Sequence, residues 1–471
     1  MSPSGPAAPP SAPYGGLPGP FTHATRHRPV TPLSATTRTA LRVGEWQRAG
    51  RRAPYGTIMA TMTSASGEAR VAWRSQGTEF ALIHTDGAVA LSVTRDGHRT
   101  HHRSRRFART TSPDALAVSL TGTHLTGFTR EAGAWVARAR VDLSDLAPEL
   151  GTRDEGFLSA LEAHASGEVR DAQVGGFGQL GLRDVRIVTT ADGSPVRSGS
   201  TVWFSATSAG PGFFDTAHTS VWSLDVSSYE IAHTGDLFFR RPDVAGVYGD
   251  HATHLVRDGA DWLVATSTWG DFTEPTTRAQ RRSPSSLRVT LARTQTDPRV
   301  GEQVLDTVEL PLPLDAAGSV GVWDPHLVRG EDGWWVGYVS AERFFRFHPV
   351  LAHGPSLEDL TLRGAALELR AAEGTTVLPT PEGPVVIASE GRDGPARHRR
   401  TYPVLDTTMT IRGRLDAPYP TNIPWPSLVP PAEGDEWLLV TFNGRPRGSR
   451  LLGYGTHGDL LMLRAGGGPA T

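Results

Sequence analysis

His254-Leu255-Val256-Arg257 and His326-Leu327-Val328-Arg329 are the same tetrapeptide, written twice at a distance of 72 residues. Each copy runs through a Gly/Asp turn into an aromatic strand, Trp262-Leu263-Val264 in the first and Trp334-Trp335-Val336 in the second. An apolar strand, a tight turn and a second strand recurring at a long period mark a fold assembled from copies of one β-unit. Upstream, Asp184-Val185-Arg186-Ile187-Val188 leads through a polar turn into residues 201–205. Downstream, residues 375–378 turn at Pro381-Glu382-Gly383 into residues 385–389, and residues 425–429 turn at Glu433-Gly434-Asp435 into residues 437–440. The units are therefore five. Repeats of roughly 50–70 residues, each long enough for about four strands, suit a β-propeller, whose radial packing protects sheet edges. No helical period of adequate length separates the strands, which argues against a parallel α/β fold.

Residues 36–170 carry a different pattern. Short segments at 57–63, 69–74, 80–84, 89–94, 115–120, 124–129 and 135–141 alternate apolar with polar residues, and Gly, Asp or Ser turns divide them. Period-two segments at this spacing predict an antiparallel β-sandwich of jelly-roll or concanavalin-like type. Phe157, Leu158 and Leu161 lie at helical spacing and predict a helix over 154–164. Residues 1–35, rich in Pro, Gly, Ser and Ala, read as a disordered tail. The fold class expected is all-β: a tail (1–35), a sandwich (36–170) and a five-bladed propeller (171–471).

Composition removes whole classes of chemistry. The 471 residues include no cysteine and no lysine, so all 47 basic residues are arginine. Thiolate nucleophiles, cysteine-held zinc, Schiff-base lysines and P-loop lysines are excluded. A formal charge of −2 gives no electrostatic footprint for nucleic acid or an anionic membrane. No apolar run approaches the ~20 residues of a membrane span, and the N-terminal stretch has no apolar core of a secretion signal. The expected location is the cytoplasm.

Asp, Glu, His, Ser, Tyr and Arg remain as reactive groups. In a propeller the residues entering the innermost strands converge around one channel from points far apart in sequence. These entries are acidic: Asp184, Asp250, Asp324 and Glu373. Converging carboxylates repel and desolvate one another, which separates a base from a protonated acid near neutral pH. Each also has a plain structural reading: an Asx turn at Asp324-Pro325, a polar turn at Glu373-Gly374, an ion pair of Asp184 with its flanking arginines, and a turn closed by Asp250.

The five units, the Asp at the first entry, Trp323-Asp324-Pro325 and Glu373-Gly374 together resemble the five-bladed propeller glycosidases. These are the arabinanase/xylosidase and invertase/levansucrase types and their mannoside-phosphorylase relatives. The resemblance spans about 300 residues. It implies a glycoside hydrolase, or a phosphorylase, with a carbohydrate substrate. It also implies that Glu373 is the general acid, that Asp184 is the base or nucleophile, and that Asp324 binds sugar hydroxyls and tunes the acid. His254 and His326, at equivalent inner-strand positions, are candidate sugar ligands or buried structural histidines. Trp323 and Trp425 directly precede inner strands and are candidate stacking surfaces for a sugar ring. Arg399 with Tyr402, after the second strand of the fourth unit, is a candidate anion or sugar contact. Two histidines do not make a metal signature, so no metal ligand and no cofactor is assigned, and calcium in the channel is left open. Two other readings stand beside the hydrolase: a non-catalytic carbohydrate-binding protein, and a biosynthetic acid–base enzyme that reuses the pocket.

Overall fold

The computed structural model describes residues 14, 16–272, 287–314, 319–343, 346–391, 401–420, 423–432, 436–444 and 458–466. The protein is all-β. Seven sheets account for the described strands, and they fall into two groups.

The first group is a pair of six-stranded sheets. One has the order Ala134–Asp142, His124–Glu131, Ala115–Thr121, Tyr55–Met62, Val169–Gln179, Thr31–Ala40. The other runs Gln47–Arg48, Glu162–Gly167, Glu68–Ser75, Thr78–Thr85, Ala88–Arg95, His98–His102. Both contribute to a single apolar core that includes Ile58, Val118 and Phe128 from one and Val71, Trp73, Phe80 and Leu82 from the other. The helix expected over 154–164 is shorter, Glu155–Ala160, and Leu161 already has extended backbone. Ala163 and Ala165 then bury themselves in the core within a strand that pairs with Glu68–Ser75. Two small side chains at period two find more burial in a sheet than helix propagation offers them.

The second group is five sheets that succeed one another along the chain, except that the first two exchange a strand: Thr189–Thr190 pairs into the second and Gly301–Asp306 into the first. Apart from that short pair of residues, their first strands are Leu182–Ile187, His251–Asp258, Val322–Gly330, Thr376–Leu378 and Ser427–Val429. The strand Leu182–Ile187 packs against His251–Asp258 on one side and Ser427–Val429 on the other. In turn, His251–Asp258 packs against Val322–Gly330, which packs against Thr376–Leu378. The repeated tetrapeptide lies at one register in two of these sheets: His254 pairs with Ala265, and His326 with Gly337.

The fifth sheet is completed from the other end of the chain. Thr22–His27 pairs antiparallel with Asp459–Gly466, from Thr22 opposite Arg464 to His27 opposite Leu460. The tail expected over 1–35 is therefore ordered structure from this strand onward, and Thr31–Ala40 enters a six-stranded sheet. Residues 1–13 lie outside the described residues. The strand Thr-His-Ala-Thr-Arg-His has no apolar alternation because it is an edge. Its anchor is the preceding Phe21, buried with Tyr402, Leu428 and Leu461 between the fourth and fifth sheets. Phe21→Ala should lower the unfolding free energy by about 3 kcal/mol in urea titrations. A change below about 1 kcal/mol would mean that this closure does not hold the sheets together.

Candidate active site

Three of the first strands carry the same defect. Between Arg183 and Arg186, between His251 and His254, and between Trp323 and His326, the first strand has one more residue than its partner. Each is a β-bulge, and in each the residue two before the Arg or His has left-handed backbone: Asp184 (φ 51°), Ala252 (φ 62°) and Asp324 (φ 59°). The fourth sheet repeats the corner at Gly374, φ 70°, two before Thr376. Non-glycine residues pay of order 1–2 kcal/mol for this conformation, least when they are Asp or Asn. The corner is held by the preceding sheet. Ala252 N–H donates to Thr207 Oγ1 at 3.3 Å, and Asp324 N–H donates to Ser267 Oγ at 2.8 Å. A bulge re-aims the side chain it carries, and here it turns two aspartates out of the normal alternation.

Asp184, Asp324 and Glu373 come within electrostatic reach of one another. Asp184 and Asp324 are buried, at 6% and 2% exposure, while Glu373 is partly open to solvent. Burial, reinforced by the negative charge of Asp184, pushes the Glu373 carboxyl up to about 7, against the opposing pull of Arg183. Asp324 is driven well above the usual carboxylate range by burial, then by Glu373 and Asp184, while Arg186 opposes the rise. Trp323 Nε1 donates to Glu373 Oε1 at 3.4 Å, and the Trp425 indole lies beside the same carboxyl. A Cβ on Gly374 would come within 2.4 Å of Trp425 Cγ, so glycine lets that indole close on the site. The site thus holds a carboxyl that carries a proton near neutrality next to an aspartate, the pairing that acid–base chemistry at one bond requires.

The other sequence candidates fall elsewhere. Asp250 precedes the corner by two residues. It accepts from Arg241 Nε at 2.9 Å and from Gly270 N–H at 2.9 Å, a buried ion pair in which both oxygens are engaged. Ala252, not Asp250, is the structural counterpart of Asp184 and Asp324. His254 and His326 stack at 4.2 Å between centroids and accept backbone N–H groups of the next sheet, Leu327 at 3.0 Å and Val377 at 3.4 Å. Burial holds His254 down to about 3, and His326 well below its ordinary value. These two neutral rings tie neighbouring sheets together. Tyr402 is buried in the core between the fourth and fifth sheets, with its hydroxyl 3.4 Å from Thr441 Oγ1. Arg399 lies outside the described residues. Trp323 packs edge-on against Trp269 at 5.5 Å and Phe347 at 5.6 Å, and presents its N–H rather than its face to Glu373.

Sequence reasoning gave Arg183 and Arg186 only a structural ion pair with Asp184, which Arg183 makes at 3.8 Å, and gave His251 no site role. Arg186 stands at the register of His254 and His326, a signal that aligning on the shared Asp-x-basic spacing would have exposed. His251 is buried beside Asp184; its Nδ1 donates to Gly249 O at 3.0 Å, which leaves Nε2 as the acceptor. Among the described residues no group of three or more His, Cys, Asp or Glu side chains is arranged to hold a metal ion.

No protein-family model matches this chain, and no curated protein matches it. It is similar to solved structures that are glycoside hydrolases and related enzymes. An α-L-arabinofuranosidase from Lactobacillus brevis is 12% identical over 60% of this chain and 91% of its own, with a TM-score of 0.40. An inulosucrase from Halalkalicoccus jeotgali bound to kestose is 14% identical over 61% and 84%, with a TM-score of 0.40. A Cellvibrio cellulosa α-L-arabinanase complexed with arabinohexaose is 10% identical over 60% and 91%, with a TM-score of 0.34.

The raised Glu373 carboxyl has a thermodynamic signature. Its folded-state affinity for protons exceeds that of the unfolded chain, so its contribution is present below about pH 4.5 and is lost as pH rises through about 7. Glu373→Gln removes that loss. Relative to the wild type, the variant should gain on the order of 2 kcal/mol between pH 5 and pH 8. Parallel stability-versus-pH curves for the two proteins would remove the buried-acid description of Glu373.

Proposed function

We propose that the five sheets are the blades of a β-propeller, that the paired six-stranded sheets form a β-sandwich in front of it, and that the chain is a glycosidase-like enzyme. The reaction is cleavage of an O-glycosidic bond at the mouth of the propeller axis. Glu373, protonated, donates to the leaving oxygen as the C–O bond breaks. Asp184, ionised, either takes a proton from the incoming water or attacks the anomeric carbon, with water completing the second step. Asp324 accepts from or donates to sugar hydroxyls, and the charge of Asp184 keeps the proton on Glu373.

One arrangement carries this reading: Asp184, Asp324 and Glu373 meet from the first, third and fourth sheets, with Trp323 Nε1 on Glu373 Oε1, and there burial and the neighbouring Asp184 push Glu373 up to about 7. A carboxyl that only closed a polar turn would lie in solvent, where nothing raises it. The two left-handed aspartates support the same reading, since strained backbone at non-glycine residues concentrates where a side chain must be aimed. A protein that only bound sugar would have no use for a protonated acid beside an aspartate.

The test is a screen of aryl and oligosaccharide arabinofuranosides, xylosides, fructosides and mannosides, with and without phosphate. The wild type should turn over at least one class, with kcat/KM falling as pH rises through about 7. Glu373→Gln should lose about 10²–10⁴-fold on poor leaving groups and far less on dinitrophenyl glycosides, which leave without protonation. Asp184→Asn should fail on both. Proton NMR of the first-formed sugar then assigns Asp184 as base, by inversion, or as nucleophile, by retention. Equal losses for Glu373→Gln on good and poor leaving groups would take the acid role away from it.

A further inference from the structure

Arg186 occupies, in the first sheet, the position that His254, His326 and Thr376 occupy in the second, third and fourth. Each stands two residues beyond the left-handed corner. The histidines reach only to the adjacent sheet. Arg186 reaches across: its Nη1 donates to Thr376 Oγ1 at 2.7 Å and to Gly374 O at 3.4 Å, and its Nη2 donates to Asp324 O at 3.0 Å. The fifth sheet's entry closes over it, with the guanidinium 4.5 Å from the centroid of Trp425. The side chain is 1% exposed.

These hydrogen bonds all go to uncharged acceptors. The positive charge is therefore not spent in them, and it acts through space on Asp184 and Asp324. A guanidinium buried in this way is costly to desolvate unless nearby negative charge offsets it. A glutamine could satisfy the same carbonyls and hydroxyl without that cost. The charge is what distinguishes arginine here, and the carboxyl cluster is what it faces. Arg183, in the same strand, is the cation that opposes the rise of Glu373.

We propose that Arg186 is the internal cation of the carboxyl cluster, a positioning residue that fixes the backbone corners of Asp324 and Gly374 and sets a fixed positive charge against the Asp324 carboxyl. The proposal deepens the catalytic reading, since it names the group that ties the Asp324 corner to the corner beside Glu373. Burial and the neighbouring carboxylates raise Asp324, and Arg186 is the cation that opposes that rise, in the direction an opposite charge acts on any carboxyl.

The electrostatic part is tested without substrate, by carbon-13 NMR titration of the Asp and Glu side-chain carboxyls in the full chain. Arg186→Gln keeps donors and drops the charge; Arg186→Lys keeps the charge and drops the fork. The Asp324 midpoint should rise by about one pH unit or more in Arg186→Gln and stay near the wild type in Arg186→Lys. An unmoved Asp324 midpoint in Arg186→Gln, with only the thermal midpoint lowered, would reduce Arg186 to a structural filler and overturn the proposal. Should Arg186→Gln fail to fold, Thr376→Val decides. It removes the acceptor that aims Nη1 and leaves Arg186 in place, so a moved Asp324 midpoint supports the proposal and an unmoved one overturns it. If a glycoside substrate is found, kcat should fall in Arg186→Gln and recover in part in Arg186→Lys. If none is found, the titration still stands, so the two readings fail separately.

Discussion

The left-handed corner at the first strands of four of the five successive sheets is the constraint from which the site follows. An extra residue at that point breaks the ladder, and the freed N–H is taken by a hydroxyl of the preceding sheet: Thr207 for Ala252, Ser267 for Asp324. The corner therefore forms only when neighbouring sheets are already in register. Its conformational cost is met by inter-sheet hydrogen bonds, and its product is a side chain aimed off the alternation of the strand. Where that side chain is Ala252 or absent, as at Gly374, the corner is scaffold. Where it is Asp184 or Asp324, the same geometry delivers a carboxyl to a buried point shared with Glu373.

Below that point the molecule is tied across its middle by polar groups in place of an apolar plug. His254 and His326 accept backbone N–H groups from the next sheet, Ser427 Oγ donates to Val185 O from the fifth sheet to the first, and Arg186 spans to the third and fourth. The N-terminal sheets are bound to this group by buried charge as well. Asp236 accepts from His218 and His233, both at 2.9 Å, and from Ser34 at 3.1 Å, and Arg51 pairs with Glu302. Breaking either set leaves polar or charged groups buried without partners, so the two groups of sheets should unfold together.

Much of this was legible in the sequence. The repeated His-Leu-Val-Arg placed two first strands in true register, and the period-two segments of residues 57–141 found every strand they were assigned to. Asp184, Asp324 and Glu373 were legible as acidic entries, because strand entries can be located once the repeat is seen. Three things were not. The strand Thr22–His27 has no pattern of its own, since an edge that pairs with residues 459–466 needs only backbone groups and one anchor, Phe21. The bulge is invisible to alternation, which is why Asp250 was aligned with Asp324 when Ala252 is its counterpart. Arg186 was hidden because the repeat was read as histidine, whereas the position asks for a cation or a ring that can reach a neighbouring strand.

The central claim is that one bond of a bound glycoside lies between Glu373 and Asp184. A crystal structure of the chain with an iminosugar mimic of its best substrate tests it most directly. The Glu373 carboxyl should lie about 2.6–3.2 Å from the atom that replaces the leaving oxygen or from the water in its place. The Asp184 carboxyl should lie across the ring, about 5–9.5 Å from that of Glu373. A sugar bound with neither carboxyl at its anomeric centre, or seated on the N-terminal sheets alone, would contradict the account.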